Sequence, residues 1–430
     1  MLRGLIYMKN KKILIFIITH LFILSSIGIS VYGAAINNVT ELTNNPLPLN
    51  TNEYGIQWAK NYGNDPREGA RYEGPQPIGD CDGDGDNELL ISGRDAAIRV
   101  MEWSESEQTY KETHTLHSPF YRILVFLNRF NGSIEPPDAG GMAIGDLTGD
   151  GENEIAATWY TTVYKWIGGK YRIIGFNPYI FWNGGGNADC YIGDCDNDGQ
   201  NELIMSGGST WHSSDEMAEI VIFKWNGWRL VKVSEWNDPG VDGYVYMAGL
   251  GDVDYDGENE IVCGSAGKVV VLDWNKDTSE FESTVIKQTG WDDYPFACIC
   301  KDSDGDGLAE IHVGYSSPWV TFFKWTGNEY EQYFERYWPG EEGIIEALDV
   351  GDVDDDGIAE VCIGTDLVHI LQWNGTSYVE EAVLPTWGNL AVTNIGDCDN
   401  DGKNEINVGS VIVDHGEDFM EWVYKYGWET

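Results

Sequence analysis

The sequence predicts an all-β fold, a β-propeller of seven blades with four antiparallel strands each. An acidic stretch of nine residues occurs seven times, at intervals of 45 to 66 residues, which is the range of propeller blades. Each copy runs directly into an apolar segment that is typical of a β-strand. In six units a further strand ends at a tryptophan: Trp103, Trp166, Trp225, Trp274, Trp325 and Trp373. Four antiparallel strands per unit make a propeller blade.

The clearest copy of the acidic stretch is residues 252–260, Asp-Val-Asp-Tyr-Asp-Gly-Glu-Asn-Glu. In every copy, positions 1, 3 and 5 carry oxygen-bearing side chains, position 6 is glycine and position 9 is glutamate. Alternate side chains of a loop that winds around an ion point inward, and glycine permits the positive φ angle that brings the chain back. Because Ca²⁺ prefers six to eight oxygen ligands, we expect up to seven structural calcium sites.

We number these acidic loops 1 to 7 in chain order. Position 7 shares no side-chain chemistry among the copies, so its backbone carbonyl is the predicted ligand there. The predicted ligands at positions 1, 3, 5, 7 and 9 are Asp80, Asp82, Asp84, Asp86 and Glu88 in loop 1; Asp146, Thr148, Asp150, Glu152 and Glu154 in loop 2; Asp194, Asp196, Asp198, Gln200 and Glu202 in loop 3; Asp252, Asp254, Asp256, Glu258 and Glu260 in loop 4; Asp302, Asp304, Asp306, Leu308 and Glu310 in loop 5; Asp352, Asp354, Asp356, Ile358 and Glu360 in loop 6; and Asp397, Asp399, Asp401, Lys403 and Glu405 in loop 7.

The acidic loops are not EF-hands, because position 12, where an EF-hand has a bidentate glutamate, is apolar in all seven copies. Electrostatic repulsion favours a metal. Two carboxylates ~5 Å apart repel by roughly 1 kcal/mol in water and by ~3 kcal/mol at an intermediate dielectric, and four carboxylates form six such pairs. A metal-free loop should therefore splay open. The alternative is seven solvated acidic turns, but solvated turns need no repeated spacing.

The net charge of −45 makes some classes of partner unfavourable. The acidic loops contribute 31 of the 71 acidic residues, so much of the acidity lies where cations could neutralise it. Seven Ca²⁺ ions would add 14 positive charges and leave −31. Binding to nucleic acid or to an anionic membrane surface is therefore disfavoured.

The first 35 residues predict an exported protein. Lysines precede an apolar run of 19 residues, Ile13–Val31, and small residues follow at 33–35. This pattern is typical of a secretory signal peptide. The apolar run is also long enough for an uncleaved membrane anchor, but the small residues stand where signal peptidase cuts. The predicted location is therefore outside the cell or on its surface.

The remaining sequence divides into residues 36–52, a polar linker, and residues 53–430, the propeller. In the last unit Tyr426 is predicted to take the place of the tryptophan, and too few residues follow it for a fourth strand. An unpaired strand edge is a liability in a sheet protein. The segment Glu53–Lys60 is therefore predicted to supply the missing strand and close the ring.

The eight cysteines would permit disulfides in an exported protein. Cys81, Cys195 and Cys398 all occupy loop position 2, where other copies have Val253 or Leu147. Interchange with small apolar residues is typical of a buried thiol that packs as a hydrophobic side chain. We predict mostly free, buried cysteines.

The repeated unit resembles the FG-GAP/VCBS repeats that form the N-terminal propeller of integrin α subunits. The clearest matches are residues 251–257 (Gly-Asp-Val-Asp-Tyr-Asp-Gly) and 351–357 (Gly-Asp-Val-Asp-Asp-Asp-Gly), and the resemblance covers residues 54–430. It implies calcium in the loop between the first two strands of each blade. Loop 2 departs from the pattern, because Thr148 removes a charge at position 3. That site is expected to be the weakest.

Aromatic residues between the strands suggest where a partner binds. The candidates are Trp159, Trp182, Trp211, Trp236, Trp291, Trp319, Trp338 and Trp387. Such rings provide a large contact area at low entropic cost, which suits protein or carbohydrate recognition in an adhesion module. The alternative is that they seal the propeller channel. The insertion from His117 to Gly141 is a second candidate for binding, or a cap over the first blade.

No catalytic motif stands out, and no catalytic residue is predicted. The histidines are scattered singly, and His312 and His369 lie in strand patterns that favour a packing role. The second functional hypothesis is an extracellular carbohydrate-active enzyme, a polysaccharide lyase or a glycosidase, because propellers can also support catalysis.

Overall fold

The structure is a computed structural model of the 430-residue chain. It describes residues 54–60, 76–93, 97–131, 140–177, 186–209, 217–238, 243–290, 293–341, 343–385, 393–408 and 411–415. The predicted signal peptide, the linker and Tyr426 lie outside the described residues. The chain divides into two compact units, one of residues 1–48 with 120–137 and one of residues 49–119 with 138–430. The first unit contains helix α1, Tyr121–Asn131, in the insertion that the sequence predicts as a loop.

The second unit is a β-propeller of four-stranded antiparallel blades. Six blades are each made of four consecutive strands. Blade 1 contains β2 (Ile78–Gly79), β3 (Glu88–Gly93), β4 (Ala97–Ser104) and β5 (Thr109–Leu116). Blade 2 contains β6 (Met142–Gly145), β7 (Glu154–Ala157), β8 (Thr162–Trp166) and β9 (Tyr171–Phe176). Blade 3 contains β10 (Gly186–Gly193), β11 (Glu202–Ser209), β12 (Met217–Trp225) and β13 (Leu230–Asn237).

The other three consecutive blades repeat the same order. Blade 4 contains β14 (Ala248–Gly251), β15 (Glu260–Ser265), β16 (Lys268–Asn275) and β17 (Glu280–Gln288). Blade 5 contains β18 (Pro295–Lys301), β19 (Glu310–Tyr315), β20 (Trp319–Trp325) and β21 (Tyr330–Tyr337). Blade 6 contains β22 (Leu348–Gly351), β23 (Glu360–Gly364), β24 (Leu367–Trp373) and β25 (Tyr378–Pro385).

A further four-stranded sheet, which we call the composite sheet, combines the two ends of the described chain. It contains β26 (Thr393–Gly396), β27 (Glu405–Val408), β28 (Val411–His415) and β1 (Tyr54–Ala59). Strand β1 pairs antiparallel with β28, at the place where the sequence predicts an N-terminal strand. The register places Tyr54 opposite His415. In blade 1 the corresponding pair is Tyr110 opposite Trp103, so His415, and not Tyr426, holds the position of the strand-end tryptophan.

The hydrophobic core lies between neighbouring sheets rather than within one sheet. One cluster joins Ile204 and Ile220 of blade 3 to Ile261 and Val270 of blade 4, all at most 2% exposed. Close approach of the first strands explains the glycine that precedes most acidic loops. A Cβ atom at Gly193 would lie 2.4 Å from Cδ2 of Leu250 in the next blade. A larger residue there would force the two blades apart.

The composite sheet packs on two neighbours. Tyr54 and Ile56 are buried against residues of blade 6, including Ile370 and Leu384. Trp58 is buried with Leu89 and other residues of blade 1, and its ring meets that of Tyr110 edge-on at 5.5 Å. The composite sheet therefore shares buried contacts with residues of blade 6 and of blade 1.

All eight cysteines are free and buried, as the sequence predicts. Burial raises the pKa of the thiol of Cys263 well above its ordinary value, so this sulfur stays protonated and packs as an apolar group. Among the helices of the described residues, none combines the length and apolarity that a membrane span requires.

Candidate metal centres

Each acidic loop connects the first strand of a sheet to the second. Loop 4, for example, follows the end of β14 at Gly251 and finishes where β15 begins at Glu260. The glutamate at position 9 is thus the first residue of a buried strand. It is at most 2% exposed in all seven copies: Glu88, Glu154, Glu202, Glu260, Glu310, Glu360 and Glu405.

Three hydrogen bonds recur in all seven acidic loops and give them one shape. The backbone N–H of glycine at position 6 donates to Oδ2 of the position 1 aspartate at 2.8–3.1 Å. The N–H of position 7 donates to Oδ1 of the position 5 aspartate at 2.8–3.2 Å. The N–H of position 2 donates to Oε2 of the position 9 glutamate at 2.7–3.0 Å.

The backbone of each loop turns through the left-handed region twice. Glycine at position 6 has a φ of +86° to +98°, as the sequence predicts. Position 4 also has a positive φ, of +57° to +81°, which sequence reasoning missed. The residues there are Gly83, Gly149, Asn197, Tyr255, Gly305, Asp355 and Asn400. Five of the seven are glycine or asparagine, the residues that tolerate this conformation best, so the signal was present.

These turns bring the carboxylates at positions 1, 3, 5 and 9 together. In loops 3 and 5, four carboxylates each place one oxygen within 4.8 Å of the others, and in loops 1, 4 and 6 three do. Burial raises the pKa of Glu88 to about 7 and the pKa of Glu260 to about 8. A cation among these oxygens would offset the cost of holding the carboxylates ionised.

The oxygen atoms fit the preference of Ca²⁺ for hard ligands. The N–H of position 7 is turned toward position 5 by its hydrogen bond, and the carboxylates of Asp86 and Glu258 at position 7 stand outside the converging sets of loops 1 and 4. In loops 6 and 7, Oδ1 of Asp352 and of Asp397 is buried without a hydrogen-bond partner among the described residues. Calcium itself stays a prediction at all seven loops.

Loop 3 already contains a positive charge. Nζ of Lys224 lies 2.8 Å from Oδ2 of Asp196 and 2.5 Å from Oδ2 of Asp198. It also lies 3.2 Å from Oε1 of the buried Glu202. Burial lowers the pKa of Lys224, but hydrogen bonds from its ammonium to these carboxylates outweigh burial and raise the pKa above its ordinary value. The lysine therefore stays charged between loop positions 3, 5 and 9.

Loops 2 and 5 have the same arrangement. Nζ of Lys165 lies 2.8 Å from both carboxylate oxygens of Asp150 and 2.6 Å from Oε1 of Glu154. Nζ of Lys324 lies 2.8 Å from Asp304, 2.5 Å from Asp306 and 3.3 Å from Glu310.

One register position supplies these lysines. It is the third-strand residue opposite the position 9 glutamate, directly before the strand-end tryptophan, and we call it the facing position. In blade 6 the pair is Glu360 opposite Gln372. The pairings of the adjacent residues give the facing residues of loops 1 to 7 in order: Glu102, Lys165, Lys224, Asp273, Lys324, Gln372 and Asp414. Sequence reasoning missed this position.

Consecutive acidic loops lie side by side. The asparagine at position 8 of one loop donates from Nδ2 to the backbone carbonyl of position 1 in the preceding loop. These bonds measure 2.7–2.9 Å and run from Asn153 to Asp80, Asn201 to Asp146, Asn259 to Asp194, Asn404 to Asp352, and Asn87 to Asp397. Loops 5 and 6 have Ala309 and Ala359 at this position and make no such bond.

The predicted aromatic ligand residues differ in exposure. Trp159 is 2% exposed and donates from its ring nitrogen to Tyr164 at 2.9 Å. Trp338 is 6% exposed and stacks on His369. Trp236 is half-buried against the core between blades 3 and 4. Trp182, Trp211, Trp291 and Trp387 lie outside the described residues. A role in ligand binding stays a prediction for all eight.

Trp319 lies in an open groove of blade 5. The groove has a volume of about 470 Å³ and is lined by Asp293, Trp319, Glu335, Arg336 and Tyr337. The ring of Trp319 stacks on Tyr315, and Nζ of Lys287 lies 4.6 Å from its centre. The groove thus combines aromatic faces with charges of both signs.

A serine and a histidine meet in the core of blade 5. Oγ of Ser303 lies 2.7 Å from Nε2 of His312, and both residues are fully buried. Burial lowers the pKa of His312 to about 3. A substrate has no access to this pair, and the packing role that the sequence predicts for His312 holds.

No protein-family model and no curated protein matches this sequence. The solved structures that are similar include two titled as BBS1N in complex with ARL6DN, one soaked with mercury and one with lead. The first has a TM-score of 0.52 at 12% identity, over 84% of this chain and 98% of the other. The second has a TM-score of 0.50 at 12% identity, over 80% and 92%. At this identity the likeness supports the fold alone, and the chain is a β-propeller of four-stranded antiparallel blades.

Proposed function

We propose that the chain is an exported, calcium-binding β-propeller that acts as a protein-recognition module. The observation that carries the calcium part is the shared geometry of the acidic loops, in which three or four of the carboxylates at positions 1, 3, 5 and 9 converge in loops 1, 3, 4, 5 and 6. In loop 4 the residues that would hold the ion are Asp252, Asp254, Asp256 and Glu260, with the backbone carbonyl of Glu258. A bound ion would link the ends of the first two strands of a blade.

The proposed scaffold is a ring of seven blades, of which the composite sheet is the seventh. Its support is the contact between the last loop and the first: Nδ2 of Asn87 donates to the carbonyl of Asp397 at 2.8 Å. A Cβ atom at Gly396 would lie 3.1 Å from Cδ1 of Ile78. Deleting residues 50–62 removes β1 and exposes the edge of β28. We expect a large fall in melting temperature, and an unchanged melt would contradict closure by β1.

Export is supported by residues 1–35, with their basic start, apolar run and small residues. The proposed FG-GAP/VCBS kinship is supported by the loop pattern at blade spacing.

Protein recognition is supported by the groove of blade 5. Trp319, Tyr337 and Arg336 are of the residue types that contribute most to protein–protein binding. Tyr337 is 55% exposed, so its ring is available to a partner. The two similar structures are titled as complexes of BBS1N with ARL6DN, so a chain of similar fold is found in a complex.

The calcium part is tested by calorimetry of the full chain in EDTA and in 1 mM Ca²⁺. A site with a dissociation constant of ~10 µM would add about 2.7 kcal/mol of stability at that concentration. We expect several sites to raise the melting temperature by about 10 °C or more. Equal melting curves in the two buffers would contradict calcium binding.

The recognition part is tested with the immobilised chain against a panel of cell-surface proteins and a glycan array. We expect saturable binding of a protein that the double variant Trp319→Ala, Tyr337→Ala loses. Trp228→Ala is the matched control, because Trp228 is 68% exposed in a hairpin turn of blade 3. Binding of a glycan instead, or equal binding by all three proteins, would contradict the proposal.

A further inference from the structure

We propose that acidic loops 2, 3 and 5 hold a lysine ammonium as a built-in cation and do not bind calcium. The chain would then bind four calcium ions, in loops 1, 4, 6 and 7, and not seven. The inference rests on the proposed calcium binding and identifies which loops carry it. It comes from the facing position, whose residue differs in charge from blade to blade.

The ammonium of Lys224 competes for the atoms that a metal would need. It contacts Oδ2 of Asp196, Oδ2 of Asp198 and Oε1 of Glu202, which belong to loop positions 3, 5 and 9. A calcium ion at these oxygens would lie against a second positive charge. The lysine is 22% exposed and held by three carboxylates, so it must break three ion pairs before an ion can enter.

Loop 4 has the opposite charge at the same register position. Asp273 faces Glu260, so loop 4 and its facing residue carry six negative charges, whereas loop 3 carries four and faces a lysine. Among the described residues, no lysine or arginine forms an ion pair with Asp252, Asp254 or Glu260. Lys276 pairs with Glu258 at position 7, whose side chain is not a predicted ligand. This loop therefore has an excess of negative charge that a divalent cation can neutralise.

Loops 1, 6 and 7 resemble loop 4 in having no positive charge at the facing position. Loop 1 is faced by Glu102 in the register of β3 and β4, and loop 7 is faced by Asp414 in the register of β27 and β28. Loop 6 is faced by the neutral Gln372, whose Nε2 donates to Asp356 and Glu360 at 2.8 and 3.0 Å. A turn of this amide would present its oxygen to an ion instead. None of these three facing residues carries a positive charge.

The sequence of loop 2 agrees with a built-in cation. Thr148 stands at position 3 in place of a carboxylate, and its hydroxyl donates to Oε1 of Glu154 at 3.0 Å. Lys165 contacts both oxygens of Asp150 in addition to Glu154. The loop with the fewest carboxylates among positions 1, 3, 5 and 9 is thus one of those that a lysine already neutralises.

The experiment counts the calcium ions bound to the full chain by native mass spectrometry, with calorimetric titration as a second count. We expect four per chain for the wild type. Lys224→Met removes the ammonium but keeps the side-chain length, and we expect five. Asp273→Lys places an ammonium at loop 4, and we expect three. Lys232→Met is the matched control, because Lys232 pairs with Glu235 away from the acidic loops, and we expect four.

The outcomes separate this inference from the proposed function. Seven ions on the wild type, or an unchanged count in Lys224→Met and Asp273→Lys, overturns the built-in cations while calcium binding stands. No ion on any of the four proteins overturns both. The wild-type count does not depend on the folding of a variant, and the two variants change the count in opposite directions.

Discussion

Blades 3 and 4 have acidic loops of one backbone shape and of different charge. The N–H of Gly199 donates to Asp194 at 2.9 Å in loop 3, and that of Gly257 donates to Asp252 at 3.0 Å in loop 4. Yet Lys224 faces loop 3 and Asp273 faces loop 4. This difference shows that the nine loop residues determine the backbone shape of the loop. A residue from the third strand of the blade determines the charge of the site.

The comparison extends to the start of each blade. Five residues before the acidic loop, blade 3 has Asp189 and blade 4 has Met247, and both are nearly fully buried. Burial raises the pKa of Asp189 to about 8. Its Oδ1 has no hydrogen-bond partner among the described residues. The position that holds an apolar side chain in blade 4 therefore holds a protonated carboxylic acid in blade 3.

The largest predicted effect concerns Asp189. The native acid keeps its proton up to about pH 8, whereas the unfolded chain releases it near pH 3.8, so wild-type stability falls as pH rises between these values. Asp189→Asn has no proton to lose. We expect its stability relative to the wild type to rise by about 1.4 kcal/mol per pH unit over that window, as measured by urea unfolding in EDTA.

The matched control is Met247→Leu in blade 4, which changes a side chain at the same place and adds no titrating group. Its difference from the wild type should stay constant from pH 4 to pH 8. A constant difference for Asp189→Asn as well would show that Asp189 is ionised in the folded protein.

The sequence predicts the acidic loops well because their determinants are local. Glycine at position 6 and glutamate at position 9 are read at fixed offsets, and the structure places both as expected. The facing position was missed because it is set by the register between the second and third strands. That register depends on the length of each connecting turn, so Lys224 follows Glu202 by 22 residues and Asp273 follows Glu260 by 13.

The end of the chain was misjudged for the same reason. An aromatic residue ends the third strand of the other units, which favours Tyr426, but the pairing of β27 with β28 brings His415 to that place. Sequence distance alone does not reveal that the seventh unit has a short connection between its second and third strands. Strand β1 pairs with β28, whose edge would otherwise be open, and closure of the ring by this strand stays a prediction.

The second predicted effect tests the charge of loop 3 without calcium. Lys224→Met leaves Asp196, Asp198 and Glu202 without their cation, and removing one partner of a buried ion pair costs about 3–5 kcal/mol. Because Lys224 is partly exposed, we expect a loss of about 2 kcal/mol in EDTA, measured by urea unfolding. Calcium should restore most of the loss, since the variant loop resembles loop 4.

Lys232→Met supplies the reference value. Its ion pair with Glu235 is between partly exposed side chains, so its loss should cost less than about 1 kcal/mol and should not respond to calcium. If Lys224→Met were as stable as this control in EDTA, the ammonium would not be part of the folded loop.

The smallest predicted effect concerns the contact between the two loops themselves. Nδ2 of Asn259 donates to the carbonyl of Asp194 at 2.9 Å, and its N–H donates to Oδ1 of Asn197 at 2.7 Å. Asn259→Ala removes the first bond and keeps the second, so we expect a loss of about 1 kcal/mol in urea unfolding. The natural alanine at the same position of loop 5, Ala309, indicates that the fold tolerates the change.

The stability loss of Asn259→Ala, measured with and without calcium, shows whether the contact between loops 3 and 4 forms without the ion or only once the ion is bound. The Asn259 bond ends on a backbone carbonyl and not on a predicted metal ligand, so its loss should be the same in EDTA and in calcium. A loss that appears only with calcium would mean that the contact forms once loop 4 is filled. The backbone of loop 4 would then depend on the ion, and its shared shape with loop 3 would be a result of binding.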